Sequence, residues 1–146
     1  MKAVAAADPR SVFAAVPFMG LLGVRREFSE GGRARLVLPE RADLGNVIGA
    51  IHGGAVLTLL DVVMASAAVS RIGFARTAVT LNLDSCFLAP GRGTLTADGE
   101  VTAHDAELAQ CRATVTDAAG RLVAHALGSF RYLPFPAHDN TSGDTP

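Results

Sequence analysis

The chain has 146 residues, 49% of them hydrophobic and 18% charged, and thirteen basic residues against fourteen acidic ones leave a net charge of -1. A chain of that size and composition builds one domain around its own core, which excludes the small scaffolds that depend on disulfides or metals. The balanced charge, with no basic run to track a phosphate backbone, argues against nucleic-acid binding.

Cys86 and Cys111 both fall in strand-like segments, with no CxxC pair, and read as reduced cytosolic thiols. The first residues hold Lys2 and a short apolar run broken by Asp8 and Pro9, too short for the core of a secretion signal. Lys2 is the single lysine and alanine is abundant, the signature of a GC-rich bacterial genome, so the expectation is a cytoplasmic bacterial protein. The apolar run 55–69 carries Asp61 near its middle and falls short of the about 20 residues that a membrane span requires.

In chain order, Asp8 and Pro9 predict a helix over 8–19. Strands follow at 21–27 and 33–38, joined through Ser29-Glu30-Gly31-Gly32, whose glycines suit a hairpin turn, and Pro39 closes the pair. A loop over 40–51, punctuated by Gly45 and Gly49, leads through His52-Gly53-Gly54 into a helix over 53–72 that is apolar on every side and is therefore expected to be central and enclosed. Four strands are predicted at 77–88, 94–104, 107–117 and 121–132. Their short connections allow antiparallel neighbours and leave no room for helical crossovers. In the second of them Leu95, Ala97, Gly99, Val101 and Ala103 alternate with polar residues, so one face is buried. The last carries Leu122, Ala124, Ala126 and Phe130 on one side and Val123 and Leu127 on the other, a pattern that a subunit contact would explain. The chain thus divides into one domain over 1–133 and a tail, 134–146, too polar and Pro-rich to order itself.

The residue that departs from its surroundings is Asp61. Leu57, Leu59, Leu60, Val62, Val63, Met64 and Ala65 surround it, with no Lys or Arg one turn away. Burial there penalises the charged form unless donors compensate, and such carboxylates cluster at functional sites, although a buried Asp can also hold a loop N–H or a distant Arg. His52 lies nine residues earlier, about 180° around a regular helix and about 13.5 Å along it. The two cannot meet within one chain, so a site using both requires a homodimer. At the helix start, Gly53 and Gly54 leave backbone N–H groups uncovered, and these together with the helix dipole suit a carbonyl oxygen gaining negative charge. A tight loop with a capping histidine accounts for the same residues.

The stretch Asn46-Val47-Ile48-Gly49-Ala50-Ile51-His52-Gly53-Gly54-Ala55, followed by Leu59-Leu60-Asp61, resembles the motif of hotdog-fold acyl-CoA thioesterases of the phenylacetate-degradation (PaaI-like) branch. Thr80, Phe87-Leu88-Ala89-Pro90, and Gly120-Arg121-Leu122-Val123-Ala124 with Gly128 extend the resemblance downstream. It implies an α+β hotdog fold, a curved antiparallel sheet around one long central helix, paired into a homodimer and often into a tetramer. It also implies that Asp61 is nucleophile or general base, the Gly53 N–H the oxyanion donor, and Asn46 the group that positions water or the thioester carbonyl. His52 would orient the loop and assist the leaving thiolate, and Thr80 would assist Asp61. Gly54, Leu57, Leu60, Met64 and Phe87, with Phe13, Phe18 and Met19 of the N-terminal segment, would border the substrate. Arg71 and Arg76 would meet the coenzyme A phosphates unless they are solvated surface arginines. Coenzyme A is then part of the substrate, with no cofactor, and His104, His125 and His138 lack metal-ligand spacing. Two other readings are a hotdog enoyl-CoA hydratase or dehydratase and a non-catalytic acyl-CoA-binding protein. Asp61 in an apolar helix argues against the second, since a binder gains nothing by desolvating a charge.

Overall fold

The computed structural model describes residues 8–136. The expected signal-free start falls largely on residues 1–7 and the expected disordered tail, 134–146, largely on 137–146, outside the described residues. In place of one helix over 8–19 there is a 3-10 turn, Pro9–Ser11, and two short helices, α1 (Val12–Ala15) and α2 (Pro17–Leu22). Pro17 is the cause, because a residue before proline is pushed out of the helical region and Val16 sits at φ -71°, ψ 114°. Pro17 then opens α2, and Gly23, at φ 73°, ends it. Leu21 and Leu22 therefore belong to a helix, and the first strand starts later than 21–27, as β1 (Arg25–Glu30). A two-residue turn joins it to β2 (Arg33–Leu38), with Gly31 at φ 59° and Gly32 at φ 90°, the left-handed geometry a tight hairpin demands.

The long helix α3 (Gly53–Arg71) is followed by β3 (Thr77–Phe87), β4 (Leu95–His104), β5 (Leu108–Thr116) and β6 (Leu122–Leu133). All strands pair antiparallel in one sheet of order β1-β2-β4-β5-β6-β3 that curves around α3, the hotdog fold. Val56, Leu59, Leu60, Val63 and Met64 of α3 form one fully buried cluster with Leu36, Leu38, Leu95, Ala97, Val115 and Phe130 of the sheet. Among the described residues α3 is the one helix long and apolar enough to cross a membrane, and the sheet wraps it. Cys111 lies in this core, where burial pushes its thiol up to about 12, while Cys86 on β3 is exposed; neither is paired.

The alternation predicted for β4 holds through Gly99 and then fails. A bulge between Val101 and Ala103 turns the strand outward and leaves Ala103 exposed. On β6, Leu122 and Leu127 remain exposed within one chain, so its outer face is uncovered here. Gly99 marks the closest approach of sheet to helix, since a Cβ there would sit 2.8 Å from the Val63 carbonyl oxygen. Backbone cannot yield as a side chain can, so Gly99→Ala should cost about 1–3 kcal/mol. A thermal melt would register this as a Tm lower by roughly 3–12 °C.

Candidate active site

The loop before α3 is a miniature hairpin. Ala42–Leu44 forms a 3-10 turn, the Asn46 N–H donates to the Ala50 carbonyl (2.8 Å), the His52 N–H to Leu44 (2.8 Å), and the Ile51 N–H to Gly91 (2.9 Å). Inside it, Asn46 Oδ1 accepts from the backbone N–H of Ile48 (3.1 Å) and of Ala50 (3.0 Å). Two N–H donors require an oxygen, which fixes the amide orientation and leaves the Asn46 NH2 group as a donor with no acceptor among the described residues.

His52 caps α3. Its Nδ1 accepts from the Gly54 N–H at 2.9 Å, so the neutral ring carries its proton on Nε2. A Cβ on Gly54 would come within 3.1 Å of that nitrogen, which is why glycine stands there. This corrects the expectation that both glycine N–H groups are free: Gly54 is engaged by the cap, whereas the Gly53 N–H has no acceptor among the described residues. Two free donors therefore stand where the helix dipole is positive, Gly53 N–H and His52 Nε2–H, and the Asn46 amide is a third in the loop that leads into the helix.

Asp61 lies eight residues into α3 and is half-buried rather than enclosed. Leu57, Asp61, Val62, Ala65 and Val69 recur at helical spacing along the side of α3 that the sheet leaves partly open. The Thr80 hydroxyl donates to Asp61 Oδ1 at 2.6 Å. Strand alternation alone leaves the side of Thr80 undecided, and the contact settles it; a register shift between Thr80 and Asn82 interrupts the regular ladder there. One oxygen of the carboxylate is thus pinned, and no cation pairs with it among the described residues. Such a group can take a proton from water or attack a carbonyl itself.

Helix α3 and strand β3 run side by side in opposite directions. Gly53 lies against the Phe87 ring, 3.6 Å from where its Cβ would be, and Asp61 lies against Thr80. The helix is unbroken from Gly53 to Arg71, so the donor cluster and Asp61 stay about 13.5 Å apart in one protomer.

Of the residues expected to border substrate, Leu57 and Phe87 are exposed, 39% and 50%. Leu60 and Met64 are corrected: both are fully buried in the core, facing the sheet. Arg71 donates to His104 Nε2 (2.9 Å), and Arg76 donates to the Ala106 carbonyl (2.6 Å) and stacks over Tyr132. Arg71 ends α3 about 27 Å from Gly53. The sequence did not single out Val62, Ala65, Ser66 and Val69 as a wall; they line an apolar cleft together with Phe13 and Arg26, and Asp61 itself is not in that lining. Helical spacing relates Ala65 and Val69 to Asp61, but in a helix apolar all round it does not say which side lies open.

A family model described as a domain of unknown function, DUF4442, matches residues 9–130. The chain belongs to this family. No protein of curated function matches it. Its structural neighbours are hotdog proteins of the thioesterase superfamily. A thioesterase family protein from Silicibacter pomeroyi is 28% identical, with a TM-score of 0.81 over 86% of this chain and 96% of that one. The E. coli PaaI protein from the phenylacetic acid degradation operon is 22% identical, with a TM-score of 0.79 over 86% and 91%. A hypothetical thioesterase protein from Streptococcus pneumoniae, determined with coenzyme A, is 22% identical, with a TM-score of 0.69 over 78% and 88%. The last two matches establish a shared fold.

Proposed function

We propose that this DUF4442 protein hydrolyses acyl-CoA thioesters to free acid and coenzyme A, at sites built between two protomers. The observation that carries the reading is the pair of complementary half-sites on one helix: three free donors at its start and in the loop before it, and a Thr80-pinned carboxylate nine residues after His52.

Strand β3 is an edge strand of eleven residues, with Val79 (40%), Leu81 (52%) and Phe87 (50%) exposed. A long apolar edge demands a partner. Antiparallel pairing of two such edges about Leu83 and Asp84 sets residue 80 of one protomer across from residue 87 of the other. Because Thr80 marks Asp61 and Phe87 marks Gly53, that two-fold axis brings the donors of one protomer to the carboxylate of its partner.

In the shared site the thioester carbonyl oxygen lies at the Gly53 N–H and the Asn46 amide, which stabilise the negative charge that develops as the carbonyl is attacked. Asp61 of the partner protomer supplies the attack. As general base it takes a proton from water; as nucleophile it forms an anhydride that water then opens. In both cases the C–S bond breaks and the coenzyme A thiolate leaves toward His52 Nε2–H. Coenzyme A enters as part of the substrate, a role in keeping with the coenzyme A in the pneumococcal neighbour.

Thiol release from a panel of aryl and straight-chain acyl-CoAs tests the assignment. Turnover of one or more members is expected. Hydration of an enoyl-CoA without thiol release would move the protein to the hydratases, and tight binding without turnover would make it a binder.

A further inference from the structure

The cleft along α3 has a volume of about 160 Å³ and an apolar wall made chiefly by Val62, Ala65 and Val69 of α3, Phe13 of α1, and Phe74. A cavity of roughly 150 Å³ with an apolar lining accepts a benzene-sized guest, so this one takes an acyl group of about that carbon count. Asp61 is not part of its wall, which begins at Val62, the next residue, and Ala65, one turn further on. Val69 is eight residues from Asp61, so the wall reaches to about 12 Å from it along the helix.

The far end of the wall is not apolar. Arg26 of β1 lines it, with its guanidinium 5.2 Å from the centre of the Phe13 ring and 5.8 Å from that of Phe74. Phe74 stands beside the Val69 turn, its N–H bonded to the Val69 carbonyl at 2.9 Å. Arg26 donates to the Arg10 carbonyl but forms no ion pair among the described residues, and Asp8 acts on it only at longer range. Burial holds its pKa below the ordinary arginine value, as expected of a cation without an anion in contact. Independently, Ser66 lines the same cleft at 6% exposure, and its hydroxyl makes no hydrogen bond to a described residue. Its oxygen is not sealed from solvent, since no buried side-chain polar atom lacks a partner among the described residues, so the hydroxyl is open to the cleft.

We propose that this cleft binds the acyl group, and that Arg26 and Ser66 select acyl chains of about six to eight carbons that end in a carboxylate, the mono-CoA thioesters of dicarboxylic acids. The inference rests on the hydrolase reading above and specifies its substrate. Chain length follows from geometry. An extended chain advances about 1.25 Å per carbon, so six to eight carbons cover about 7.5–10 Å. A guanidinium–carboxylate contact of about 2.8 Å completes the 12 Å to the Val69 end. The carboxylate would give Arg26 a counter-ion in contact, and the accessible Ser66 hydroxyl could donate to it.

The test compares kcat/KM for adipoyl-CoA and hexanoyl-CoA, which match in carbon count and differ at the far end. The wild type should prefer adipoyl-CoA by at least about tenfold. Arg26→Met, which keeps the stem against the two rings, should bring the ratio close to one, and Ser66→Ala should lower it several-fold. A wild type that cleaves hexanoyl-CoA as well or better overturns the assignment, whatever the variants do. So does a ratio that survives Arg26→Met, the result expected if Arg26 only fastens the N-terminal segment through the Arg10 carbonyl. In both cases thiol release persists and the hydrolase reading stands. No thiol release from these two or from the wider panel removes the hydrolase reading, and this inference with it.

Discussion

Asp61→Asn should lower kcat for thiol release by about 10²–10⁴-fold, the range by which a positioned proton acceptor accelerates a reaction, with little change in KM. The substitution keeps the shape of the side chain and an oxygen for the Thr80 hydroxyl, which now bonds Asp61 Oδ1 at 2.6 Å, so what it removes is the charge. A carboxylate kept only for structure would give a different result. With Thr80 still satisfied and the site half-exposed, the amide variant would then turn over like the wild type. Kinetics on the best substrate, together with a thermal melt, separate these outcomes.

Leu81→Arg should abolish activity without unfolding the protomer. Leu81 is 52% exposed on the β3 edge, next to the residue that bonds Asp61. In one chain an arginine there meets solvent and costs little. In a two-fold pair it appears twice, each time on an apolar edge that the partner protomer covers, and desolvating an unpaired charge there opposes association. Sedimentation should show a monomer, circular dichroism an unchanged fold, and the assay a loss of more than about 100-fold, since neither protomer then has both half-sites. A fully active monomer would mean that the site lies within one chain.

Much of this architecture is legible in the residues, and the misses have definite physical causes. The helix from Gly53, the four later strands and their antiparallel pairing follow from periodicity and short turns. The late start of β1 does not, because Leu21 and Leu22 look like strand to an alternation rule, while Pro17 at the start and Gly23 at the end of α2 are the stronger signals. At the candidate site, the nine-residue spacing already separates His52 from Asp61. For Gly54 the sequence leaves two readings open, a free N–H group or a capping histidine, and only the Nδ1 contact decides for the cap. Leu60 and Met64 are near Asp61 in sequence but about 100° and 60° from it around the helix, on the side that faces the sheet. Arg26 had no local signal at all; only the folding of α1 and Phe74 over β1 gives it its place at the cleft.

The central claim is a thioesterase site shared between protomers, and subunit complementation tests it most directly. Asn46→Asp keeps the oxygen that holds the loop but removes the free amide donor, while Asp61→Asn removes the partner's carboxylate. Each variant alone should be nearly inactive. Refolded together in equal amounts, half of the dimers are mixed and each of these has one intact site of two, so about a quarter of wild-type activity should return. A mixture no more active than the sum of its parts would contradict the shared site.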